Sequence, residues 1–259
     1  MSRLTPAGLR SRVVSDDRLG FGVPAYAHPL LAAQEWAELA RPGTPLHWVA
    51  LNVARGPGSR SDPLCARAVA RLREAAVPVL GVLDTRHGAR PFAQLLADAH
   101  RYLDWYRVDG FYLDRAPTDR AGLADCRRTT TTLRQLLGAD DGGEGHLVLG
   151  HGSHPCPGYA EIADQLVTFS GPWTTYRWSE APQWTADHPP ERFCHLVHGL
   201  PGPHLDNAMR VARWQGAATV FFTDRTDAGH AADHAAWEGL PGYWDEASRM
   251  LRRQPLPGM

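Results

Sequence analysis

Short apolar runs alternate with longer amphipathic runs along most of this chain. The short runs are rich in Val, Leu, Phe or Tyr, are too short for a helix, and end in Gly, Pro or a polar residue, which is typical of buried β-strands. Eight such strands are predicted, at residues 21–26, 47–53, 78–84, 110–114, 146–149, 165–169, 192–198 and 218–223.

Amphipathic helices are predicted between several of these strands, at residues 63–75, 92–106, 121–137 and 205–215. In the second helix, Leu95, Ala99 and Tyr102 recur at helical spacing. Strands that alternate with helices indicate a parallel sheet, and eight repeats indicate a closed (β/α)8 TIM barrel of the α/β class. An open doubly wound sheet is the alternative. No G-x-G-x-x-G motif follows the first strand, which weakens a dinucleotide-binding version of that sheet.

The length and the composition both fit one barrel. The chain has 259 residues, close to the roughly 250 of a typical TIM barrel. We therefore expect a barrel domain over residues 21–259 and an N-terminal extension over residues 1–20. A formal net charge of −1 gives no reason to expect nucleic acid or an anionic membrane as a partner.

Targeting signals and cysteine spacing bear on the compartment. No run approaches the roughly 18 apolar residues of a membrane helix, and residues 1–20 lack the apolar core of a secretory signal. The four cysteines lie far apart, without C-x-x-C spacing. We expect a cytoplasmic protein with free, buried thiols. The oligomeric state stays open.

The most informative feature is that every predicted strand ends in polar residues. The carboxyl ends of all eight strands of a barrel open onto one face, where barrel enzymes build their active sites. The candidate site residues at these ends are Tyr26, His28, Asn52, Asp84, Asp114, Arg115, His151, His154, Ser170, Trp173, His198 and Asp224. The alternative for any one of them is that strand ends meet solvent and are polar for that reason.

Asp114 is the sharpest single candidate. It follows an apolar strand directly and shares its parity with Tyr112, so it can continue the inward-facing row of side chains. Partial burial would raise the pKa of this carboxyl group, whereas a nearby Arg115 cation would lower it. In the alternative interpretation, Asp114 caps a turn or pairs with Arg115.

The aromatic residues indicate the class of ligand. The chain has nine tryptophans, and Trp173, Tyr176, Trp178 and Trp184 cluster after the sixth strand. Flat aromatic faces with a few directional polar groups suit a sugar ring better than a phosphate. The long segment at residues 174–190 is predicted to fold over the barrel mouth. These rings could instead simply pack that segment.

Two histidine-containing clusters, at residues 151–156 and 227–234, have the composition of metal sites. The second lies in an Ala-rich polar segment that resembles an exposed helix face. His195 and His198 are three residues apart on a strand, so they face opposite sides and cannot share an ion. We expect neither a functional metal nor a cofactor.

Several segments occur in an order that is similar to a known family. They are residues 23–26 (VPAY), 52–58 (NVARGPG), 105–106 (WY), 110–114 (GFYLD), 151–155 (HGSHP) and 167–170 (VTFS). Together they resemble the spherulin-4, or spherulation-specific, family. The resemblance implies a glycoside-hydrolase-like (β/α)8 barrel, in a family where some members cleave α-linked N-acetylgalactosamine polymers. It also implies glutamates after the fourth strand and in the sixth, but Arg115 and Ser170 stand there.

Three functional hypotheses follow. The first is a glycoside-hydrolase-like enzyme acting on a saccharide that contains an amino sugar. In it Asp114 is the acid/base or nucleophile, and Asp84 or Asp224 is the second carboxylate that such hydrolysis needs. His28, Asn52 and His151 would hold hydroxyl groups, and Trp173 would stack on the ring.

The second hypothesis is a carbohydrate-binding protein that kept the site and lost the chemistry. The third is a different reaction on a small polar substrate, with Arg115 holding an anion. The same barrel can serve any of these, because fold does not determine function.

Overall fold

Eight parallel strands close into a barrel in the order in which they occur along the chain, with β8 paired to β1. The computed structural model describes residues 19–141, 145–226 and 235–253. The strands are β1 (Gly20–Ala25), β2 (Leu46–Leu51), β3 (Val79–Asp84), β4 (Gly110–Asp114), β5 (His146–Gly150), β6 (Gln165–Pro172), β7 (Phe193–His198) and β8 (Thr219–Phe222). The predicted TIM barrel is confirmed.

Helices lie outside the barrel wall. Those in the described ranges are α1 (Ala33–Leu39), α2 (Pro63–Glu74), α3 (Phe92–Tyr106), α4 (Leu123–Asp141), α5 (Trp173–Tyr176), α6 (Leu205–Trp214) and α7 (Trp244–Arg252). The bounds predicted for α3 agree with the structure to the residue. In these same ranges, no helix combines the length and the apolar character needed to cross a membrane.

The interior of the barrel is filled by large side chains. Trp48 of β2 reaches across it, and its indole N–H donates to Oε1 of Gln165 on β6 at 2.7 Å. The Gln165 amide in turn donates to the hydroxyl of Thr219 at 2.8 Å. All three residues are buried, and the ring of Tyr112 lies 5.6 Å from that of Trp48. This layer fills the barrel interior below the carboxyl ends of the strands.

The connection from β6 to β7 is not a lid over the mouth, so that prediction was wrong. Two parallel neighbouring strands need a crossover that returns the chain to the base of the barrel. Here α5 and two short 3₁₀ turns make that return along the outside. Ser179 accepts a hydrogen bond from Gln215, just after α6, at 2.9 Å. Pro190 accepts one from Ala218, just before β8, at 3.0 Å.

Gly110 at the start of β4 provides a test of the close packing between β4 and β5. A Cβ atom at Gly110 would collide with the backbone carbonyl of His146 on β5, and backbone cannot move aside cheaply. We expect Gly110→Ala to lower the free energy of unfolding by about 3 kcal/mol, the upper end of overpacking costs. Urea denaturation measures this change.

Gly138 on α4 is the matched control, because a Cβ atom there has nothing within 4 Å. Gly138→Ala should raise the free energy of unfolding by up to about 1 kcal/mol through helix propensity. If Gly110→Ala and Gly138→Ala changed the free energy of unfolding equally, the packing described at Gly110 would be wrong.

Candidate functional site

A cavity of about 370 Å³ opens at the carboxyl ends of the strands. Its wall draws on β1, β4, β5, β6 and β7, and on segments that follow β1, β3, β4, β5 and β8. The described wall residues are Pro24, Tyr26, His87, Tyr112, Asp114, Arg115, Gly150, His151, Gly152, Ser170, Leu196 and Trp237. Five of the twelve predicted site residues therefore meet here, namely Tyr26, Asp114, Arg115, His151 and Ser170.

Asp114 lies among phenol side chains. Burial raises the pKa of Tyr26 and of Tyr112 well above the usual value, and the negative charge of Asp114 raises both pKa values further. Both phenols therefore keep their protons in neutral solution and can donate hydrogen bonds. Among the described wall residues, Asp114 is the only carboxylate. The cavity thus combines one carboxylate with neutral hydroxyl groups.

Asp84 is the immediate neighbour of Asp114 but has a different partner. The two residues are paired in the register of β3 and β4, which places their backbones about 4.8 Å apart. Arg115 Nε donates to Asp84 Oδ1 at 2.9 Å, and Arg115 Nη2 contacts the second oxygen. Arg115 therefore forms a fork on Asp84, a strong form of ion pair.

Arg115 also decides the protonation of Asp84. Partial burial alone would raise the pKa of Asp84, but the hydrogen bonds from Arg115 and from the backbone N–H of Arg86 outweigh it. The charges of both arginines act in the same direction, and the pKa of this carboxyl lies below its usual value. Asp84 is consequently an anion in neutral solution and cannot donate a proton there.

Unusual backbone geometry surrounds this ion pair. Arg86, His87 and Arg115 have φ values of 50°, 56° and 50°, a left-handed conformation that costs a non-glycine residue about 1–3 kcal/mol. Hydrogen bonds hold the conformation, since His87 N and the Thr85 hydroxyl both donate to the carbonyl of Arg115, at 2.7 and 2.6 Å. The connection after β3 is thereby fixed to the end of β4.

His151 is buried in the cavity wall, with 8% of its surface exposed. Burial lowers its pKa to about 4, although nearby carbonyls of Pro117 and Ala116 offset part of that effect. Neither ring nitrogen has a hydrogen-bond partner of good geometry among the described residues. The ring packs edge-on against Tyr159 at 4.8 Å. His151 is therefore a neutral imidazole at neutral pH.

Two predicted hydroxyl-binding residues instead hold loops together. His28 Nε2 lies 3.2 Å from an oxygen of Asp62, and its Nδ1 accepts from Leu30 N at 3.1 Å. Asn52 Oδ1 accepts from the backbone N–H of Gly56 at 2.8 Å. Neither His28 nor Asn52 is among the described wall residues.

Three further predicted residues pack against other rings. His154 lies edge-on to Trp184 at 6.4 Å, and His198 lies edge-on to Trp237 at 5.7 Å. Trp173 is 4% exposed and stacks on His204 at 5.8 Å, so it has no open face for a sugar ring. Of the tryptophans, Trp237 is the one that the structure places in the cavity wall.

Asp224, the remaining predicted carboxylate, accepts a hydrogen bond from Gly242 N at 3.2 Å. It is not among the described wall residues either. Its strand, β8, lies across the barrel from β4. The structure therefore does not bring Asp224 to Asp114.

Sequence reasoning missed His87 and Trp237. His87 enters the wall through a left-handed backbone on a loop, and Trp237 lies well beyond the end of β8. The only sequence signal for Trp237 is that the chain is rich in tryptophan, and for His87 there is none.

The histidine-containing clusters do not form an evident metal site among the described residues. The predicted cluster at residues 227–234 lies outside the described residues. His195 is buried and bonded to the hydroxyl of Tyr176 at 2.8 Å, on a different side of β7 from His198. His28, Asp62 and Cys65 come together, but Asp62 caps α2 through Leu64 N and Cys65 N. The Asp62 carboxylate and His28 Nε2 therefore already serve the fold.

Comparison with known proteins adds the family. The model of the spherulation-specific family 4 matches residues 21–251. The chain belongs to this family. Spherulin-4 of Physarum polycephalum is 26% identical over 149 residues, which is 57% of this chain and 43% of that protein. The chain therefore matches less than half of the length of this family member.

Solved structures share the barrel. Aspergillus clavatus Sph3 in complex with GalNAc superposes with a TM-score of 0.75 at 21% identity, over 91% of this chain and 98% of that one. The chitinase RmChi1 of Rhizomucor miehei has a TM-score of 0.52 at 13% identity, over 86% and 98%. At these identities the likeness establishes the fold.

The buried His151 predicts a pH dependence of stability. Its pKa of about 4 in the folded chain lies below the unfolded value of about 6.5. As the pH falls through this window, the unfolded chain binds a proton that the folded chain does not, so stability is lost. Between about pH 7 and pH 4 this loss should approach roughly 3 kcal/mol.

The measurement is urea denaturation at about pH 7 and about pH 5. His151→Asn should reduce the difference between the two free energies of unfolding. His100→Asn is the control, because His100 is exposed on α3. If His151→Asn and wild type lose the same stability over this interval, the neutral buried state of His151 is wrong.

Proposed function

We propose that this chain binds a saccharide in the mouth of its barrel, with Asp114 accepting hydrogen bonds from sugar hydroxyl groups. The observation that carries this proposal is the meeting of Asp114, Tyr26 and Tyr112 in one cavity. A volume of about 370 Å³ lies in the range of small-molecule sites. A carboxylate acceptor beside phenol donors matches the donors and acceptors of adjacent hydroxyl groups.

An N-acetylated hexosamine is the proposed ligand class. Sph3 of Aspergillus clavatus has GalNAc in its crystal structure, and it has the same fold as this chain. The wall also contains Leu196 and Trp237, which offer apolar contact for the ring or for an acetyl methyl group. GalNAc is therefore the first ligand to test.

Binding is better supported than hydrolysis. Glycoside hydrolysis ordinarily requires two carboxyl groups, one of which donates a proton to the leaving oxygen. Asp84 is ionised and held by Arg115, and Asp224 is bonded to Gly242 away from the wall. Ser170, at a place where the family resemblance implies a glutamate, has a hydroxyl that is too weak an acid for this role.

Hydrolysis remains the second candidate function because Asp84 and Asp114 are direct neighbours in register. In that candidate Asp114 is the acid/base or nucleophile, and Asp84 is the second carboxylate. Arg115 would have to leave Asp84 during the reaction. The ion pair and the reaction therefore compete for the same oxygens.

Calorimetry with GalNAc tests the binding proposal. Asp114→Asn keeps the shape of the side chain and removes its charge, so the dissociation constant should rise by about tenfold or more, the value of a hydrogen bond to a charged group. Asp224→Asn is the matched control and should bind as wild type does. If Asp114→Asn bound GalNAc as tightly as wild type does, Asp114 would not be part of the binding site.

Turnover is tested separately, by incubating the protein with an α-linked GalNAc oligosaccharide and measuring new reducing ends. We expect no release above that of Asp114→Asn, because the described wall residues offer no second carboxyl group beside Asp114. Release by wild type that is lost in both Asp114→Asn and Asp84→Asn would instead establish the second candidate. Release that persists in Asp114→Asn would exclude both assignments of Asp114.

A further inference from the structure

Two exposed tryptophans occupy neighbouring positions on the outside of the barrel. Trp178, after α5, and Trp214, at the end of α6, are each 75% exposed. Gln215 is buried and donates to the carbonyl and to the hydroxyl of Ser179, at 2.9 and 3.0 Å. Because Gln215 follows Trp214 and Ser179 follows Trp178, these bonds hold the two tryptophan positions together. The tryptophan face, as we call this surface, consists of Arg177, Trp178, Glu180, Arg213 and Trp214.

The tryptophan face lies away from the barrel mouth. From Trp214 the chain runs into β8, which starts at Thr219. A helix of a (β/α)8 barrel leads back to the amino end of the next strand, whereas the mouth is at the carboxyl ends. A partner on the tryptophan face therefore leaves the mouth open. The inference drawn from this face does not depend on the proposed function.

The Trp178 side chain is already ordered in the single chain. The guanidinium of Arg177 lies 5.1 Å from the centre of the Trp178 ring, which is a cation–π contact. The backbone N–H of Trp178 donates to the carbonyl of Thr175 at 3.1 Å. A side chain that is ordered beforehand loses less conformational freedom when a partner binds. The face is thus preorganised for contact.

The tryptophan face carries one charge of each sign that is available to a partner. Arg213 and Glu180 are both exposed, and neither has an ion-pair partner in the described part of the chain. In a two-fold symmetric interface, each residue meets the counterpart of its own neighbour on the other copy. Arg213 can therefore pair with Glu180 of a second copy, and the reverse pair forms by symmetry. An anionic membrane would instead repel Glu180.

The exposed ring area is large enough to matter for a dimer. A tryptophan buries about 150–250 Å² in an interface, and each of these two is 75% exposed. Two rings from each copy then supply roughly 450–750 Å², or about half of the roughly 1,200 Å² buried in the smaller specific interfaces. Tryptophan and arginine are also enriched among the residues that dominate binding energy.

We infer that two copies of this chain associate through their tryptophan faces as a two-fold symmetric dimer. Trp178 of one copy packs against Trp214 of the other, and Arg213 pairs with Glu180, each contact occurring twice. Two independent observations support a second copy as the partner. One is the exposed area of the two rings, and the other is that the charges of the face complement each other.

Analytical ultracentrifugation of the full chain, from low to high micromolar concentration, tests this inference. Wild type should form dimers as the concentration rises. Trp178→Ser and Trp214→Ser should each raise the dimer dissociation constant about thirtyfold or more, the effect of removing an interface hot spot. Leu31→Ser is the matched control, because Leu31 is 85% exposed but lies after β1. It should associate as wild type does.

Charge reversal tests how the two copies are arranged. Arg213→Glu places like charges opposite each other and should raise the dissociation constant about tenfold or more. Combining Arg213→Glu with Glu180→Arg exchanges the two charges and should restore association. Arg67→Glu is the control, because it makes the same change of charge at an exposed position on α2, and it should have no effect.

Three results would overturn the inference. Wild type could remain a monomer at every concentration. A dimer could form equally well in both tryptophan variants, which would show that it uses another surface. Finally, the double charge exchange could associate no better than Arg213→Glu alone, in which case the two faces do not meet across a two-fold axis.

Discussion

The ion pair between Arg115 and Asp84 is the interaction on which the chemistry of the barrel mouth depends. The register of β3 and β4 puts Asp84 beside Asp114, and two neighbouring carboxylates repel each other unless one is neutralised. Arg115 neutralises Asp84 through a forked contact. As a result Asp84 is an anion occupied by its partner, and Asp114 is the carboxylate presented to the cavity.

This ion pair is accompanied by strained backbone conformations, which hydrogen bonds of the surrounding loop hold in place. Arg115 reaches back to β3 with a left-handed backbone, and Arg86 and His87 adopt the same conformation opposite it. Hydrogen bonds between Thr85, His87 and the Arg115 carbonyl hold these strained residues in place. Strain of this kind persists where surrounding contacts determine the geometry, often at functional sites. Here it shapes the wall of the mouth, where Arg115 and His87 both lie.

The chain keeps the barrel of the spherulation-specific family 4 but differs from the family resemblance at the barrel mouth. The barrel is retained over residues 21–251, yet Arg115 and Ser170 stand where the family resemblance implies glutamates. A barrel tolerates such changes because its stability comes from the filled interior around Trp48 and Gln165, well below the strand ends. The strand ends can therefore change their chemistry while the fold stays the same.

Local patterns in the sequence determined the fold and part of the site. Alternating apolar runs predicted eight strands, and the bounds of α3 and β4 agree with the prediction, because burial on a strand or a helix follows short-range periodicity. Polar residues at strand ends identified Tyr26, Asp114, Arg115, His151 and Ser170 as members of one face, since parallel strands of a closed barrel all end there.

The tertiary structure alone decided which partner each side chain takes. It paired Arg115 with Asp84, covered the ring of Trp173 with His204, and brought Trp237 and His87 into the wall. The connection after β6 also runs along the outside of the barrel, which the sequence did not predict. These outcomes depend on backbone angles and on packing between residues far apart in the chain, which short-range periodicity does not encode.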